Sequence, residues 1–157
     1  MKLYIKQKVF SWKDRFSVKN ENEEDVFFVE GELFSFGKKL HIFDARNTEV
    51  AFIRQQIFTF LPRYFVSVNG TEVAEIVKEF TFFKPRYSIK GLDWQVEGDF
   101  FAHDYTVHHN NHPIVRIRKE WMTWGDTYEL DIAEGVDAVS ALSVVLAIDC
   151  VMANNKN

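Results

Sequence analysis

The sequence predicts a mainly β fold: a closed antiparallel barrel of about twelve strands, wrapped around a buried C-terminal helix, in a single domain spanning 1–157. Three observations carry this. The chain is written twice, its strand-like segments alternate apolar and polar residues between short turns, and its last long segment is apolar on every side.

The duplication is direct. Ile5–Trp12 aligns without a gap on Ile53–Phe60, and Arg15–Val18 continues at the same offset onto Arg63–Val66. A second gapless pair places Ile76–Phe80 on Ile117–Trp121 and Tyr87–Ile89 on Tyr128–Leu130, and between the members of each pair Val29–Phe34 matches Val96–Phe101. The repeat halves are therefore about 3–70 and 74–133. A half of this kind leaves one apolar sheet face uncovered, so two halves are expected to close on each other.

Within the repeats, Val66 and Val68 alternate with Ser67 and Asn69, and Tyr105 and Val107 with Thr106 and His108, which is the period of half-buried strands. Asn69-Gly70 is a strong two-residue hairpin turn, while Asp44–Thr48 and Asn110-Asn111 are weaker turn signals. Strands are expected near 3–10, 14–19, 26–31, 33–43, 49–58 and 63–69, with six more in the second half. A closed barrel uses that number without leaving edges.

From Val136 to Ala153 the apolar residues fall all around a helical wheel, which marks a buried helix. Asp137 is placed to cap its start and Asn154 to end it, giving a core helix at about 137–153, roughly 24 Å long and comparable to the height of a seven-residue strand. A membrane anchor is the competing reading. The run falls short of the roughly 20 apolar residues that a span needs, and Asp149 interrupts it.

Composition narrows the function classes. The chain has 16 Phe, 5 Tyr and 4 Trp but only 7 Gly and 3 Pro, and its net charge is −4, which argues against nucleic acid as a partner. Cys150 is the single cysteine and lies in an apolar run, as expected of an inert thiol in a reducing compartment. Met1–Lys8 has no signal-peptide core, so a cytoplasmic location is expected, peripheral to a membrane where lipid is the partner.

Residues Gly31–Leu40 (GELFSFGKKL), Asp44, Trp94 with Gly98-Asp99-Phe100, and Asp126-Thr127-Tyr128 resemble the LURP-one-related family over nearly the whole chain. That resemblance implies the tubby-like fold, a twelve-stranded barrel around a central helix related to the tubby C-terminal domain and the phospholipid scramblases, with phosphoinositide binding or lipid movement associated with the superfamily. Asn47 stands where the family pattern leads one to expect a turn glycine. Asparagine tolerates the left-handed conformation, so the hairpin survives the change.

Candidate sites follow. Arg116, Arg118 and Lys119 lead into Trp121-Met122-Thr123-Trp124, and guanidiniums beside interfacial indoles are the parts from which a protein builds a site for anionic phospholipid or phosphoinositide headgroups. The bland alternative is that the arginines are a solvated strand face and that Trp121 fills the barrel like its repeat-mates Phe80 and Phe58. Asp149, on the otherwise apolar helix, must be paired or close to the barrel mouth, as a ligand-binding or a structural carboxylate.

His103, His108, His109 and His112 fall close together, but strand alternation and an exposed turn give them no preset coordination geometry, and no metal is expected. Asp93, Glu97, Asp99 and Asp104 read as polar strand exterior rather than as an acid–base pair. No nucleophile elbow or phosphate loop occurs. The expected function is therefore a non-catalytic binding domain for anionic lipid headgroups, with no cofactor and no protein partner identifiable. The alternative is an enzyme or small-ligand barrel with its site at the barrel mouth near Asp149.

Overall fold

The structure, a computed structural model, describes residues 1–6, 15–32, 36–79, 86–120 and 127–153. Its strands are β1 (Lys2–Lys6), β2 (Phe16–Lys19), β3 (Asp25–Gly31), β4 (Lys39–Asp44), β5 (Glu49–Gln55), β6 (Arg63–Val68), β7 (Thr71–Glu79), β8 (Arg86–Lys90), β9 (Trp94–Asp99), β10 (Asp104–His109), β11 (His112–Glu120) and β12 (Thr127–Ile132), followed by helix α1 (Ala138–Ala153). Each strand pairs antiparallel with its neighbours in sequence. β1 closes the barrel against β12, with Leu3 opposite Leu130 and Ile5 opposite Tyr128.

Alternation decides which side chains face inward. Leu3 and Ile5, Leu40 and Ile42, Ala51 and Ile53, Tyr64 and Val66, and Val115 and Ile117 are buried, while the residues between them are not. Those inward side chains meet α1, which is buried without interruption from Ser140 to Met152. Asp137 caps the helix as the sequence predicts: its Oδ2 accepts from the Ser140 backbone N–H at 3.0 Å and from the Ser140 hydroxyl at 2.6 Å.

The turns carry the conformations their residues favour. Asn69 and Gly70, at φ of 49° and 79°, join β6 to β7 as a two-residue hairpin. Asn47 is left-handed at φ 62°, and the Asp44 carboxylate closes its turn by accepting from the backbone N–H groups of Arg46 and Thr48, both at 2.9 Å. Gly98, opposite Tyr105, marks a close strand approach, since a Cβ there would meet the Asp104 carbonyl oxygen at 2.6 Å.

Among the described residues, Arg15 lies outside β2, residues 36–38 precede β4 and residues 56–58 follow β5, although the alternation placed them in strands. Residues 7–10, 14 and 33–35 of the expected strands lie outside the described residues. The described trimmed residues lie toward the same barrel end. The described residues after β5 leave the ladder through a left-handed Phe58, φ 62°, which ends strand geometry there.

Chain direction makes the two barrel ends unlike. Odd-numbered strands run toward one end and even-numbered strands run back, and β12 delivers the chain through residues 133–137 into α1. The helix therefore starts at the end that holds the tight turns. We call this the helix-entry end and the opposite one the helix-exit end.

The burial of α1 dictates a stability test. About a dozen apolar side chains at roughly 1.5–3 kcal/mol each is a gross gain of tens of kcal/mol, well beyond the roughly 5–15 kcal/mol of net stability of a typical domain. A chain ending before Val136 is expected to lose cooperative unfolding in urea. A soluble, monomeric, cooperatively folding truncation would show that the helix is not the core.

Candidate functional site

The helix-exit end gathers the chemistry. Four even-numbered strands place a tyrosine as their second residue there, Tyr64, Tyr87, Tyr105 and Tyr128, all buried. In the helix they enclose, Asp149 is 4% exposed and is the single charged residue of α1. Tyr128 donates its phenolic O–H to Asp149 Oδ2 in a short hydrogen bond, and the His103 ring nitrogen Nε2 lies 3.2 Å from Oδ1.

His103 belongs to the turn between β9 and β10, and its left-handed backbone, φ 51°, turns the ring inward. There it stacks on Tyr128 with ring centroids 4.3 Å apart, while Phe100 from the same turn packs edge-on against Tyr87 at 4.6 Å. The carboxylate, the imidazole and the phenol thus clamp one loop and one strand onto the last turns of the helix.

Burial, followed by the Asp149 charge, pushes the Tyr105 and Tyr128 phenols well above their usual range. Both therefore stay protonated, and Tyr128 remains a donor to Asp149. Burial and then Asp149 also push the Cys150 thiol up, which makes it inert. The Tyr105 hydroxyl is fully buried and has no hydrogen-bond partner among the described residues.

The four histidines that the sequence brings together are split by the fold. His103 is buried at the helix-exit end, whereas His109 and His112 face each other across the exposed hairpin at the other end, next to His108. Among the described residues no group of three or more His, Cys, Asp or Glu is placed to hold a metal ion. Asp93, Glu97, Asp99 and Asp104 are all exposed on the barrel exterior.

Arg116 is engaged with its own sheet. It donates to Asp104 in a short charged contact and to the Thr106 hydroxyl at 2.9 Å, and its cross-strand partner on β12 is Asp131. Arg118 is exposed opposite Glu129, and Lys119 follows it at the helix-exit end. Trp121 and Trp124, with Phe80, lie outside the described residues.

Phe58 corrects the expectation that it fills the barrel. It is 96% exposed, and Phe60 and Phe36 are 94% and 84% exposed in neighbouring connections at the same end. Gly37 sits against Ile57, where a Cβ would meet Ile57 Cγ2 at 2.8 Å, and the Gln55 side chain accepts from the Lys38 backbone N–H at 3.0 Å. These contacts lock the β3–β4 and β5–β6 connections together and hold the three phenyl rings outward. Sequence alternation missed this because Phe58 and Phe60 continue the strand period past the point where the backbone leaves the sheet.

A family model for LURP-one-related proteins matches residues 1–149. The chain belongs to the LURP-one-related family. The Bacillus subtilis (strain 168) protein YxjI is 34% identical over 157 residues, covering 100% of this chain and 97% of that protein. A solved Arabidopsis thaliana protein superposes with a TM-score of 0.69 at 16% identity, covering 96% of this chain and 90% of that one. For this LURP-one-related chain, the twelve-stranded closed barrel with its C-terminal helix is the tubby-like fold. No helix among the described residues is long and apolar enough to cross a membrane.

A further surface feature of this family member is His41 on β4, which the sequence did not single out. Its Nε2 lies 2.8 Å from Glu32 and its Nδ1 2.5 Å from Glu49. Burial alone would lower its basicity, but the hydrogen bonds to Glu49 and Glu32 outweigh this and raise its pKa above the ordinary 6.5. A raised folded pKa adds stability that is fully present below the unfolded value and fades as pH rises through the folded one. The urea midpoint of the wild type is therefore expected to exceed that of His41→Gln by more at pH 6 than at pH 9. A pH-independent gap would rule out the charged clamp.

For the buried clamp, Asp149→Ala strands a buried phenol and imidazole and is expected to cost about 3 kcal/mol in urea unfolding. The pair Asp149→Leu/Tyr128→Phe, which removes both the acceptor and a donor, should cost less than the single alanine variant. Equal or near-zero costs would show that Asp149 does not hold the helix end.

Proposed function

We propose that this protein is a non-catalytic binding domain that docks on anionic membrane surfaces through its helix-exit end. The observation that carries the reading is the segregation of charge along the barrel axis. The helix-entry turns hold Glu21, Glu23, Glu24, Asp93 and Glu134, all exposed. At the other end, strand termini hold Lys6, Arg86 and Arg118, with no carboxylate within ion-pair distance among the described residues, although Arg118 lies close enough to Glu120 and Glu129 to act on their charge. Of the acidic residues at this end, Glu32 is engaged by Lys39 and His41 and Asp104 by Arg116, while Asp99 is exposed. A chain of net charge −4 is repelled by an anionic surface on average, so binding depends on presenting its cationic end.

In this reading Arg118 and Lys119, at the end of β11 on that side, face the headgroups. Arg116 contributes less, because Asp104 already neutralises it. The exposed phenyl rings beside the cations favour a lipid headgroup layer over a free soluble anion, which would gain nothing from them.

Sedimentation with vesicles tests this. The wild type is expected to bind vesicles containing phosphatidylserine or phosphoinositide at low salt, to ignore neutral phosphatidylcholine, and to be released as salt shortens the Debye length to roughly 8 Å. Each basic residue near the surface is worth about 1 kcal/mol, so Arg86→Glu/Arg118→Glu should weaken binding by well over tenfold. Its melting temperature should stay close to that of the wild type, because both side chains are exposed. Wild-type protein that stays in the supernatant, or a charge-reversed variant that binds equally well, would refute the reading.

A further inference from the structure

We infer that the helix-exit end does more than rest on headgroups: Phe36, Phe58 and Phe60 insert into the boundary between headgroups and acyl chains of an anionic bilayer. This rests on the membrane-surface reading above and adds a depth and a set of residues to it. The three rings are 84%, 96% and 94% exposed, yet phenyl rings of this size are ordinarily buried. They are not stray surface residues, because the backbone is arranged to present them.

Phe58 is the sharpest case. Among the described residues the other non-glycine residues with positive φ are Glu23, Asn47, Asn69, Asp93, His103, Asn110 and Asn111, residues with polar side chains that mostly sit in tight turns. A bulky apolar residue at φ 62° is in a strained conformation, and such strain persists only where the surroundings impose it. Here the Gly37–Ile57 contact and the backbone N–H of Gln56, bonded to the Arg63 carbonyl at 2.9 Å, hold the loop in place. The result is a folded loop that points phenyl rings at solvent, where they bury nothing in the protein.

The occupant follows from shape and charge. Rings standing on loop apices, rather than lining a groove, suit a fluid medium that closes around them more than a rigid partner with fixed pockets. The strand ends that carry Lys6, Arg86 and Arg118 lie at the same barrel end as the apices. Phe60 is three residues from the start of β6 at Arg63, whose own charge is paired with Glu75, at most about 10 Å of extended chain, whereas the headgroup layer on one side of a bilayer is roughly 5–7 Å thick. Cations among the headgroups therefore place the rings at the acyl boundary. The acidic helix-entry end faces away from the membrane in this orientation, so charge and apolar exposure fix the same direction.

The test uses the intact protein. Cys150 is the single cysteine and is 1% exposed, so an environment-sensitive NBD label attaches selectively to Phe60→Cys, with Glu134→Cys at the opposite end as the control. On adding phosphatidylserine-containing vesicles, the label at 60 is expected to brighten, shift to the blue and be quenched by lipids brominated near the top of the acyl chain. The label at 134 should not change.

Phe58→Ser/Phe60→Ser should lower vesicle partitioning by about tenfold or more, with an unchanged or raised melting temperature. Protein that sediments with the vesicles while the label at 60 still emits as in water leaves surface docking standing and overturns insertion. Protein that does not sediment at all overturns both. A blue shift at 60 without vesicles, accompanied by dimers in sedimentation velocity, would assign this end to a second copy of the chain and also overturn the proposal.

Discussion

A helix that is apolar on every side has no stable surface position, and the rest of this molecule is arranged around that constraint. From Ser140 to Met152 no residue of α1 reaches solvent appreciably, so the helix requires enclosure rather than a single packing partner. One sheet face covers one side of a helix. Only a sheet closed on itself covers all of it, and twelve antiparallel strands closed by β1 against β12 do so, each strand flanked on both sides. The duplication fits the same logic, since β1–β6 and β7–β12 each supply half of an inner wall that neither completes alone.

Enclosure raises a second problem at the helix-exit end, where Asp149 enters an apolar interior. An isolated carboxylate there would be prohibitively costly, and the molecule answers with Tyr128 and His103, two donors from different parts of the wall. A hydrogen-bonded group of this kind stabilises less by its net energy than by the cost of losing any one member. It therefore sets the depth and rotation of the helix, which a purely apolar contact surface leaves loosely specified. Through His103 it also ties the β9–β10 turn to the helix, so that the exit end is built on the core.

Much of the architecture was legible in the residues because it depends on periodicity. The two-residue alternation of Tyr64-Phe65-Val66, the Asn69-Gly70 turn, the capping Asp137 and the all-round apolar wheel of α1 are local signals, and tertiary structure obeyed each of them. The helix-exit end was harder to read because its features depend on where local patterns stop. Phe58 and Phe60 carry the strand period into a loop, so alternation alone assigns Phe58 to the interior when it is almost fully exposed. His103 is near His108, His109 and His112 in sequence but a barrel's height away in space, and its partner is on the helix. Arg116 and Asp104 sit on adjacent strands, a pairing visible only once register is known.

The same constraint explains why the two ends diverge in character. At the helix-entry end the chain needs only to reverse direction, so short Asn- and Gly-containing turns suffice and acidic residues can crowd there without burying charge. At the exit end the described connections carry apolar residues beyond what the core uses: Phe100 packs inward on Tyr87 and Tyr105, while its neighbour Phe101 is 53% exposed. Among the described residues, Phe36, Phe58 and Phe60 stay outside the core that α1 fills. The internal hydrogen-bonded clamp fixes the helix without using Phe58 and Phe60, which stay outside the core. A rigid barrel can then present strained, apolar loop apices at one end without the barrel itself depending on what they meet.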